Sequence, residues 1–267
     1  MRIISIGSTF EHKSVHNGTF HSTLSLLDYD LVIWDQRYTL NEYSADYPKG
    51  TYMGLVCLND DSSIKIVEDI KRRNKEMLEM LKIGRFIIVF TPPPNQFYRA
   101  TGEKQYSGTG RNRATTRIVT KDDVINTLPV KIKTVAAAGE NIECRGHDPF
   151  LNFWKSNHQY LFYEAYFDEI VGKPLFFIRD TDKVVGSVVE FENGHIIFIP
   201  SFVNILHFNT RKEWLPIQRK FIDSIINLIE SLKKDAGDFE LPNWSAQYLL
   251  PQEQEERDSL KNLEEEL

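Results

Sequence analysis

The sequence predicts an α/β fold with a mostly parallel central sheet that carries helices on both faces. Three short segments, 2–6, 31–34 and 86–90, are apolar and contain several β-branched residues. Two longer segments, 62–82 and 212–234, repeat apolar residues at the spacing of one helix face, with charged residues between them. Apolar strands that alternate with amphipathic helices are typical of a parallel sheet covered on both sides.

The first helix and the late strands have clear boundary signals. Ser62 or Ser63 is the predicted N-cap of the first helix, and Gly84 follows its end, where a left-handed residue is common. The tripeptide 192–194 (Glu-Asn-Gly) separates two apolar runs, 184–191 and 195–200. Because Asn-Gly accepts the positive φ angles of a type I′ turn, these two runs are predicted to form a hairpin.

Composition and charge limit the class of protein. The chain has 267 residues, of which 41% are hydrophobic and 26% charged, so it is long enough for a substantial core. Its net charge of −6 argues against general nucleic-acid binding, which needs a basic surface. Cys57 and Cys144 lack metal-site or disulfide spacing, no apolar run has the length of a membrane span, and residues 1–7 do not resemble a signal peptide. We therefore expect a cytoplasmic protein without membrane contact.

Two regions depart from the α/β pattern. Within the predicted domain 1–236, an insertion covers about residues 95–170, and its first part has little periodicity. Beyond the domain, residues 237–251 are predicted to be a linker. Residues 252–267 are almost wholly charged, with three leucines at coiled-coil spacing, Leu260, Leu263 and Leu267. We expect this acidic helix to pair with a protein partner or with a second copy, giving an oligomer.

The order of these elements resembles the class I glutamine amidotransferase-like fold, which has a flavodoxin-like sheet. The resemblance rests on the segments DYDLVIWD (28–35), GRFIIVF (84–90) and GSVVEFENGHIIFIPSF (186–202), and it covers about residues 1–230. It is closest to the trehalose-utilisation-type and related non-catalytic branches. The chain is also similar to uncharacterised bacterial proteins that place such a domain ahead of a helical stalk.

The chain departs from the catalytic members of this family where their nucleophile lies. Those members carry a cysteine in a Gly-x-Cys-x-Gly turn after the third core strand, whereas this chain has Thr91 followed by three prolines, 92–94. Prolines lack the N–H donors that an oxyanion hole requires. The family's His-x-Glu pair is also absent, since residues 200–202 are Pro-Ser-Phe. The resemblance therefore implies no glutaminase activity, and we predict no catalytic residue, metal or cofactor.

The best candidate binding site is a basic, glycine-rich segment. Its predicted ligand-binding residues are Arg99, Lys104, Tyr106, Gly108, Gly110, Arg111, Arg113 and Arg117. Glycines let the backbone approach a phosphate, arginines bind phosphate in a bidentate manner, and Tyr98 and Tyr106 offer rings for stacking on a base. The predicted ligand is a phosphorylated small molecule or nucleotide. The alternative is a solvated loop whose arginines pair with acidic neighbours.

Other candidates have simpler structural explanations. His12, His16 and His21 form a metal site only if their segment is helical, which Asn17-Gly18 disfavours. Cys57 lies in an apolar run, and no base for activating its thiol is identifiable. This pattern is typical of a buried structural cysteine rather than a nucleophile.

Two further groups of residues have open interpretations. Asp35 and Glu42 are either carboxylate ligands or turn caps. An aromatic run forms either a docking surface or part of the core: Phe150, Phe153, Trp154, Tyr160, Phe162, Tyr163, Tyr166 and Phe167.

The sequence thus predicts a non-catalytic ligand-sensing or assembly domain of a bacterial multi-domain or multi-subunit system. Analogy with stalked α/β sensor domains extends this to defence against phage, although fold alone does not determine function. One alternative is a metal- or nucleotide-dependent hydrolase that uses Asp35, His12 or His16 at the carboxyl ends of the strands. Another is a purely structural oligomerisation module.

Overall fold

A computed structural model describes residues 1–46, 50–109, 113–191, 193–203 and 210–235. The predicted linker 237–251 and the predicted acidic helix 252–267 lie outside these residues. Among the described helices, none is long and apolar enough to cross a membrane.

The described residues form fifteen strands and three α-helices. The strands are β1 (Ile3–Ile6), β2 (Val15–Gly18), β3 (Leu31–Trp34), β4 (Thr51–Tyr52), β5 (Leu55–Cys57), β6 (Phe86–Phe90), β7 (Gln96–Ser107), β8 (Ala114–Asp123), β9 (Thr134–Gly139), β10 (Ile142–Cys144), β11 (Leu161–Phe167), β12 (Lys173–Ile178), β13 (Val184–Phe191), β14 (Gly194–Ile199) and β15 (Ser201–Phe202). The helices are α1 (Asp60–Lys82), α2 (Asp148–Asn157) and α3 (Arg211–Asp235).

The largest sheet has eight strands in the order β10-β12-β13-β14-β6-β3-β1-β2. The pairings from β14 to β2 are parallel, whereas β10–β12, β12–β13 and β13–β14 are antiparallel. The prediction of a mostly parallel, flavodoxin-like sheet with helices on both faces is therefore wrong. The structure is a mixed α/β fold whose sheet is antiparallel in its latter half.

Short connections explain the antiparallel half. Only five residues join β12 to β13, and two join β13 to β14, whereas a parallel pair needs a crossover of about a dozen residues. The apolar character of these strands was misleading because both of their faces are buried. The predicted 184–191/195–200 hairpin is confirmed as β13 and β14, paired from Phe191–Gly194 to Val188–Ile197.

Gly194 has a different role from the one predicted. It is not among the glycines with positive φ, and it belongs to β14 itself. A Cβ atom at this position would lie 2.5 Å from the carbonyl oxygen of Arg85 and 2.7 Å from Leu81. Gly194 is therefore needed because the end of α1 approaches the hairpin too closely for a side chain.

Side chains on the two faces of the sheet belong to two separate hydrophobic clusters. On β1, Ile4 and Ile6 pack with the apolar side of α1, whereas Ile3 packs with α2 and α3. The same alternation continues along β3 and β6, which are buried at every position. This arrangement fixes the strand register, because a slip by one residue would exchange the two clusters.

Helix α1 begins two residues before the predicted start. The N-cap is Asn59, whose side chain accepts a hydrogen bond from the N–H of Ser62 at 2.8 Å, so the predicted caps Ser62 and Ser63 lie inside the helix. Gly84 adopts the expected left-handed conformation, with φ of 77°. The predicted helix 212–234 is confirmed as α3.

The predicted insertion contributes strands to two smaller sheets, which are completed by β4, β5 and β15 from outside it. Residues 96–123 form a long hairpin of β7 and β8, which pairs with β5 and β4 in a four-stranded sheet that we call the hairpin sheet. Strands β9, β11 and β15 form a three-stranded sheet. The later part of the insertion also contains α2 and β11, which carry most of the aromatic run.

A buried arginine ties the segment 19–24 to α1. The side chain of Arg73 is fully buried, and its guanidinium donates hydrogen bonds to the carbonyl oxygens of Phe20, Ser22 and Leu24 at 2.8–2.9 Å. It also pairs with Glu76 at 2.6 Å. These bonds hold the segment 19–24 against α1, and the neighbouring Arg72 adds a hydrogen bond to the carbonyl oxygen of Ser22 at 2.6 Å.

Replacing Arg73 with methionine is expected to lower the free energy of unfolding by about 3 kcal/mol, because Glu76 loses its buried cationic partner and the segment 19–24 loses its bonds to Arg73. Urea denaturation measures the change. Lys75→Met, at an exposed position of the same helix, is the matched control and should change stability little. Equal losses in the two variants would contradict the role of Arg73.

Candidate functional site

A cavity of about 190 Å³ opens at the carboxyl ends of the parallel strands, and we call it the rim cavity. Segments that follow β1, β3 and β14 converge there, together with the end of β6 and the first turn of α3. Its lining residues are Gly7, Ser8, Thr9, Phe10, Arg37, Tyr38, Phe90, Phe202, Val203 and Trp214. The aromatic residues form apolar walls, whereas Ser8, Thr9 and Arg37 supply polar groups.

The cavity lies at the switch point of the sheet. Strands β1 and β3 are neighbours, but the chain leaves β1 towards β2 on one side and leaves β3 towards β6 on the other. In open α/β sheets, ligands bind in the crevice that such diverging connections create at the carboxyl edge.

A buried ion pair supports one wall of the rim cavity. Asp35 directly follows β3, and its carboxylate is fully buried. Arg37 binds both of its oxygens, with Nε to Oδ1 at 2.7 Å and Nη2 to Oδ2 at 2.6 Å. Ser8 donates its hydroxyl to the same carboxylate at 2.6 Å. This bidentate arrangement joins the loop after β1 to the loop after β3.

A second carboxylate completes the network. Glu164 on β11 accepts from Nη1 of Arg37 at 2.5 Å and from the hydroxyl of Ser201 at 3.0 Å. Burial lowers the pKa of Arg37, but the hydrogen bond and charge of Asp35 and the charge of Glu164 outweigh it, so this pKa is raised above its usual value. Arg37 is therefore a permanent cation held between two anions.

The backbone directly after β1 lies close to the backbone directly after β3. Gly7 has φ of 88°, and a Cβ atom there would lie 2.1 Å from the carbonyl oxygen of Asp35. Asp35 also caps the 3₁₀ helix Gln36–Glu42, because its side chain accepts from the N–H of Arg37. The turn-cap interpretation of Asp35 is confirmed, and the same carboxylate holds Arg37 in place.

The proline bend lies at the same edge of the sheet. Thr91 donates its N–H to Ile199 at 2.7 Å and its hydroxyl to Val185 at 2.6 Å, which fixes the exit from β6. Gln36 donates to the carbonyl oxygen of Pro93 at 3.2 Å, and Asn95 donates to that of Gln36 at 2.8 Å. The chain after β6 is thus a bend that these hydrogen bonds hold against the segment after β3.

The predicted basic segment forms the β7/β8 hairpin, and two of its arginines are bound by acidic neighbours. Arg99 pairs with Asp122 at 2.9 Å, and Arg117 pairs with Asp60 at 2.7 Å and Asp46 at 3.0 Å. For these two residues the structure agrees with the alternative of arginines that pair with carboxylates.

The remaining residues of that segment lie towards the tip of the hairpin. Lys104, Tyr106, Gly108 and Arg113 are exposed, and Arg113 stacks over the ring of Tyr106 at 4.3 Å. Gly108 has φ of 81°. Gly110 and Arg111 lie outside the described residues. None of the eight residues lines the rim cavity, and a ligand-binding role for them stays a prediction.

The three histidines do not come together. His12 pairs with Asp223 at 3.2 Å, His16 bonds to the hydroxyl of Tyr29 at 2.5 Å, and His21 pairs with Glu42 at 2.8 Å. His16 lies on β2 rather than on a helix. Within the described ranges, no group of three or more His, Cys, Asp or Glu side chains is placed to hold a metal ion.

The other candidates have structural roles. Cys57 and Cys144 are free thiols, and burial raises the pKa of Cys144. Glu42 accepts hydrogen bonds from the N–H groups of Phe20 and His21. In the aromatic run the core interpretation holds for three buried residues, Phe150, Phe153 and Phe167. Trp154, Tyr160, Tyr163 and Tyr166 are partly buried against the core.

Sequence reasoning missed Ser8, Arg37 and Glu164, which form the core of the site with Asp35. A local signal existed for two of them, since Ser8 follows Gly7 at the end of one apolar run and Arg37 follows Asp35 at the end of another. Nothing local identifies Glu164, which reaches Arg37 from 127 residues away.

Comparison with known proteins gives no match. No family model matches this sequence, and no curated protein matches it. The resemblance to amidotransferase-like domains therefore rests on the order of elements and on apolar segments, and it stays a prediction.

The Asp35–Arg37 pair is expected to behave as one energetic unit. Asp35→Asn should lower the free energy of unfolding by about 3 kcal/mol, because it removes one partner of a buried pair. Arg37→Gln should have a similar effect, and the double variant should lose less than the sum of the single losses. Urea denaturation of the three variants measures this coupling.

Glu68→Gln, at an exposed position of α1, is the control for a simple loss of negative charge. Strictly additive losses at positions 35 and 37 would contradict the proposed unit.

Proposed function

We propose that this chain is a non-catalytic ligand-sensing domain that binds a small neutral molecule in the rim cavity. The observation that carries the proposal is the position of this cavity at the switch point between β1 and β3, with a buried ion-pair network built into its wall. Ligand sites in α/β proteins occur preferentially at such points.

The cavity favours a ligand with a flat apolar part. Phe90, Phe202 and Trp214 are each less than 10% exposed, and Phe202 lies between Phe221, at a ring distance of 3.8 Å, and Trp214, at 5.3 Å. Aromatic walls of this kind bind planar rings through offset or edge contacts. The volume of about 190 Å³ is below the range of about 300–1,000 Å³ for drug-sized ligands, so a single ring with one substituent fits best.

The charges around the cavity favour a neutral polar substituent. Arg37 faces two carboxylates, Asp35 and Glu164, so its positive charge is already compensated. A guanidinium has five N–H donors, and three of them bind these carboxylates, which leaves two for a carbonyl or amide oxygen. An anionic ligand would instead meet uncompensated negative charge.

The same geometry offers a route from ligand to the rest of the chain. Trp214 lies in the first turn of α3 and lines the cavity. Helix α3 has 25 residues, which corresponds to about 37 Å, and the charged C-terminal segment follows it in the sequence. A ligand that contacts Trp214 would bias the position of α3 and thereby the segment through which we propose assembly with a partner or a second copy.

We also propose that the domain acts in the cytoplasm, as part of a bacterial multi-domain or multi-subunit system. Its free thiols, Cys57 and Cys144, support this location, because disulfides are rare in the cytoplasm.

A thermal-shift titration tests the proposal. Benzamide, nicotinamide and phenol are neutral probes of the predicted shape, and benzoate and phenyl phosphate are their charged counterparts. We expect the neutral amides to raise the melting temperature more than the charged probes, since a ligand that binds only the folded state stabilises it. Thr9→Trp, which fills the cavity from its exposed rim, should abolish the shift, whereas Thr116→Trp on the hairpin should not.

Shifts that are equal in the wild type and in Thr9→Trp would place the binding elsewhere. A shift with phenyl phosphate alone, lost in Arg113→Ala, would favour the hairpin as the ligand site and would contradict the rim cavity.

A further inference from the structure

The hairpin sheet carries an unusual concentration of exposed apolar side chains. Among the described residues, ten large apolar side chains are exposed, and four of them lie on this small sheet or in the turn between β4 and β5: Tyr52, Met53, Tyr106 and Ile118. Single exposed apolar residues are normal, but a group on one element indicates an interaction surface.

The strand register places three tyrosines on one face. Tyr52 contacts Tyr98 edge to face, with ring centroids 4.8 Å apart. Tyr98 lies opposite Lys121, and Tyr106 lies opposite Thr115. Alternate residues of a strand share a face, and Thr115 and Lys121 are six residues apart on β8, so they lie on the same side of the sheet. Their partners Tyr106 and Tyr98 therefore lie on that side too. We call this side the tyrosine face.

Cations lie between the tyrosines on this face. Lys104 lies opposite Arg117 in the strand register. By the same alternation, Lys104, Arg117 and Lys121 all belong to the tyrosine face. Lys104 and Lys121 are exposed, and Arg113 stacks on Tyr106 at 4.3 Å. Arg117 adds little charge, because Asp46 and Asp60 bind it. An acidic residue, Glu103, directly precedes Lys104 in the irregular part of β7.

The other face of the sheet has a different role. Phe97 on this opposite face is fully buried, and Val56, its partner on β5, packs beside it against the cluster of α1. Near β5 the sheet is thus anchored through this opposite face, whereas towards the tip Ile118 is exposed on it; on the tyrosine face, Lys104, Tyr106 and Lys121 are exposed. From Thr115 to Lys121 this face extends over about 20 Å, at roughly 3.3 Å per residue.

We infer that the tyrosine face binds single-stranded nucleic acid. Proteins that bind single strands combine aromatic rings, on which bases stack, with cations that follow the phosphate backbone. Tyr98 and Tyr106 supply such rings, and Lys104, Lys121 and Arg113 supply the cations. A protein partner fits less well, because lysine is depleted from the cores of protein interfaces. The net charge of −6 opposes general binding to duplexes, but on this face the exposed cations Lys104, Arg113 and Lys121 outnumber the neighbouring Glu103.

Fluorescence anisotropy of the full chain with labelled single-stranded DNA and RNA of about 12 nucleotides tests the inference. At about 50 mM salt we expect both to bind, with a slope of log K against log salt near −2 for three cations, and the matching duplex to bind more weakly. Tyr106→Ala alone, and Tyr98→Ala with Tyr106→Ala, should weaken binding by about tenfold or more. Lys104→Glu with Lys121→Glu should weaken it similarly.

Two controls keep the test specific. Thr116→Ala lies on the same strand but on the opposite face, and Lys155→Glu with Lys220→Glu makes the same double charge change on α2 and α3. Both should bind as the wild type does.

The absence of binding at low salt, or unchanged affinity in Tyr106→Ala, would overturn the inference. So would self-association of the chain that Tyr106→Ala abolishes without any nucleic-acid binding, since the face would then serve a second copy. These outcomes are independent of the rim cavity, which Tyr106 does not line.

Discussion

The buried carboxylate of Asp35 is the constraint on which the carboxyl edge of this fold depends. An ionised carboxylate without solvent contact is tolerated only when its oxygens are bound, and here Arg37 and Ser8 bind them. Ser8 follows β1, whereas Asp35 and Arg37 follow β3. The hydrogen bond from Ser8 to Asp35 therefore fixes the two loops relative to each other. Glu164 extends the network to the three-stranded sheet.

The two halves of the main sheet have different tasks. The parallel half produces the switch point at β1 and β3. The antiparallel strands β13, β12 and β10 extend the sheet beyond β14, so β14 is paired on both sides. Thr91 links the two halves, because it bonds to Ile199 on β14 and to Val185 on β13. The proline bend that follows Thr91 is therefore part of the framework around the cavity.

Much of the fold, but little of the site, is predictable from sequence. Local periodicity identifies β3, β6, α1 and α3, because each buries a face whose spacing is visible in the chain. Strand direction depends on connection length instead, and the five residues 179–183 are too few for a parallel crossover. The composition of the basic segment predicts a binding site there, but Arg117 is paired with Asp46 and Asp60, which are distant in sequence. Glu164 is brought to Arg37 by tertiary structure alone, so no local pattern reports it.

The central claim is that the rim cavity is a ligand site, and crystallographic screening with small ring-containing fragments tests it most directly. The account predicts that neutral fragments bind between Arg37 and Trp214, with a carbonyl or amide oxygen towards the guanidinium. Fragments that bind elsewhere on the domain while this cavity stays filled by its own side chains would contradict the claim.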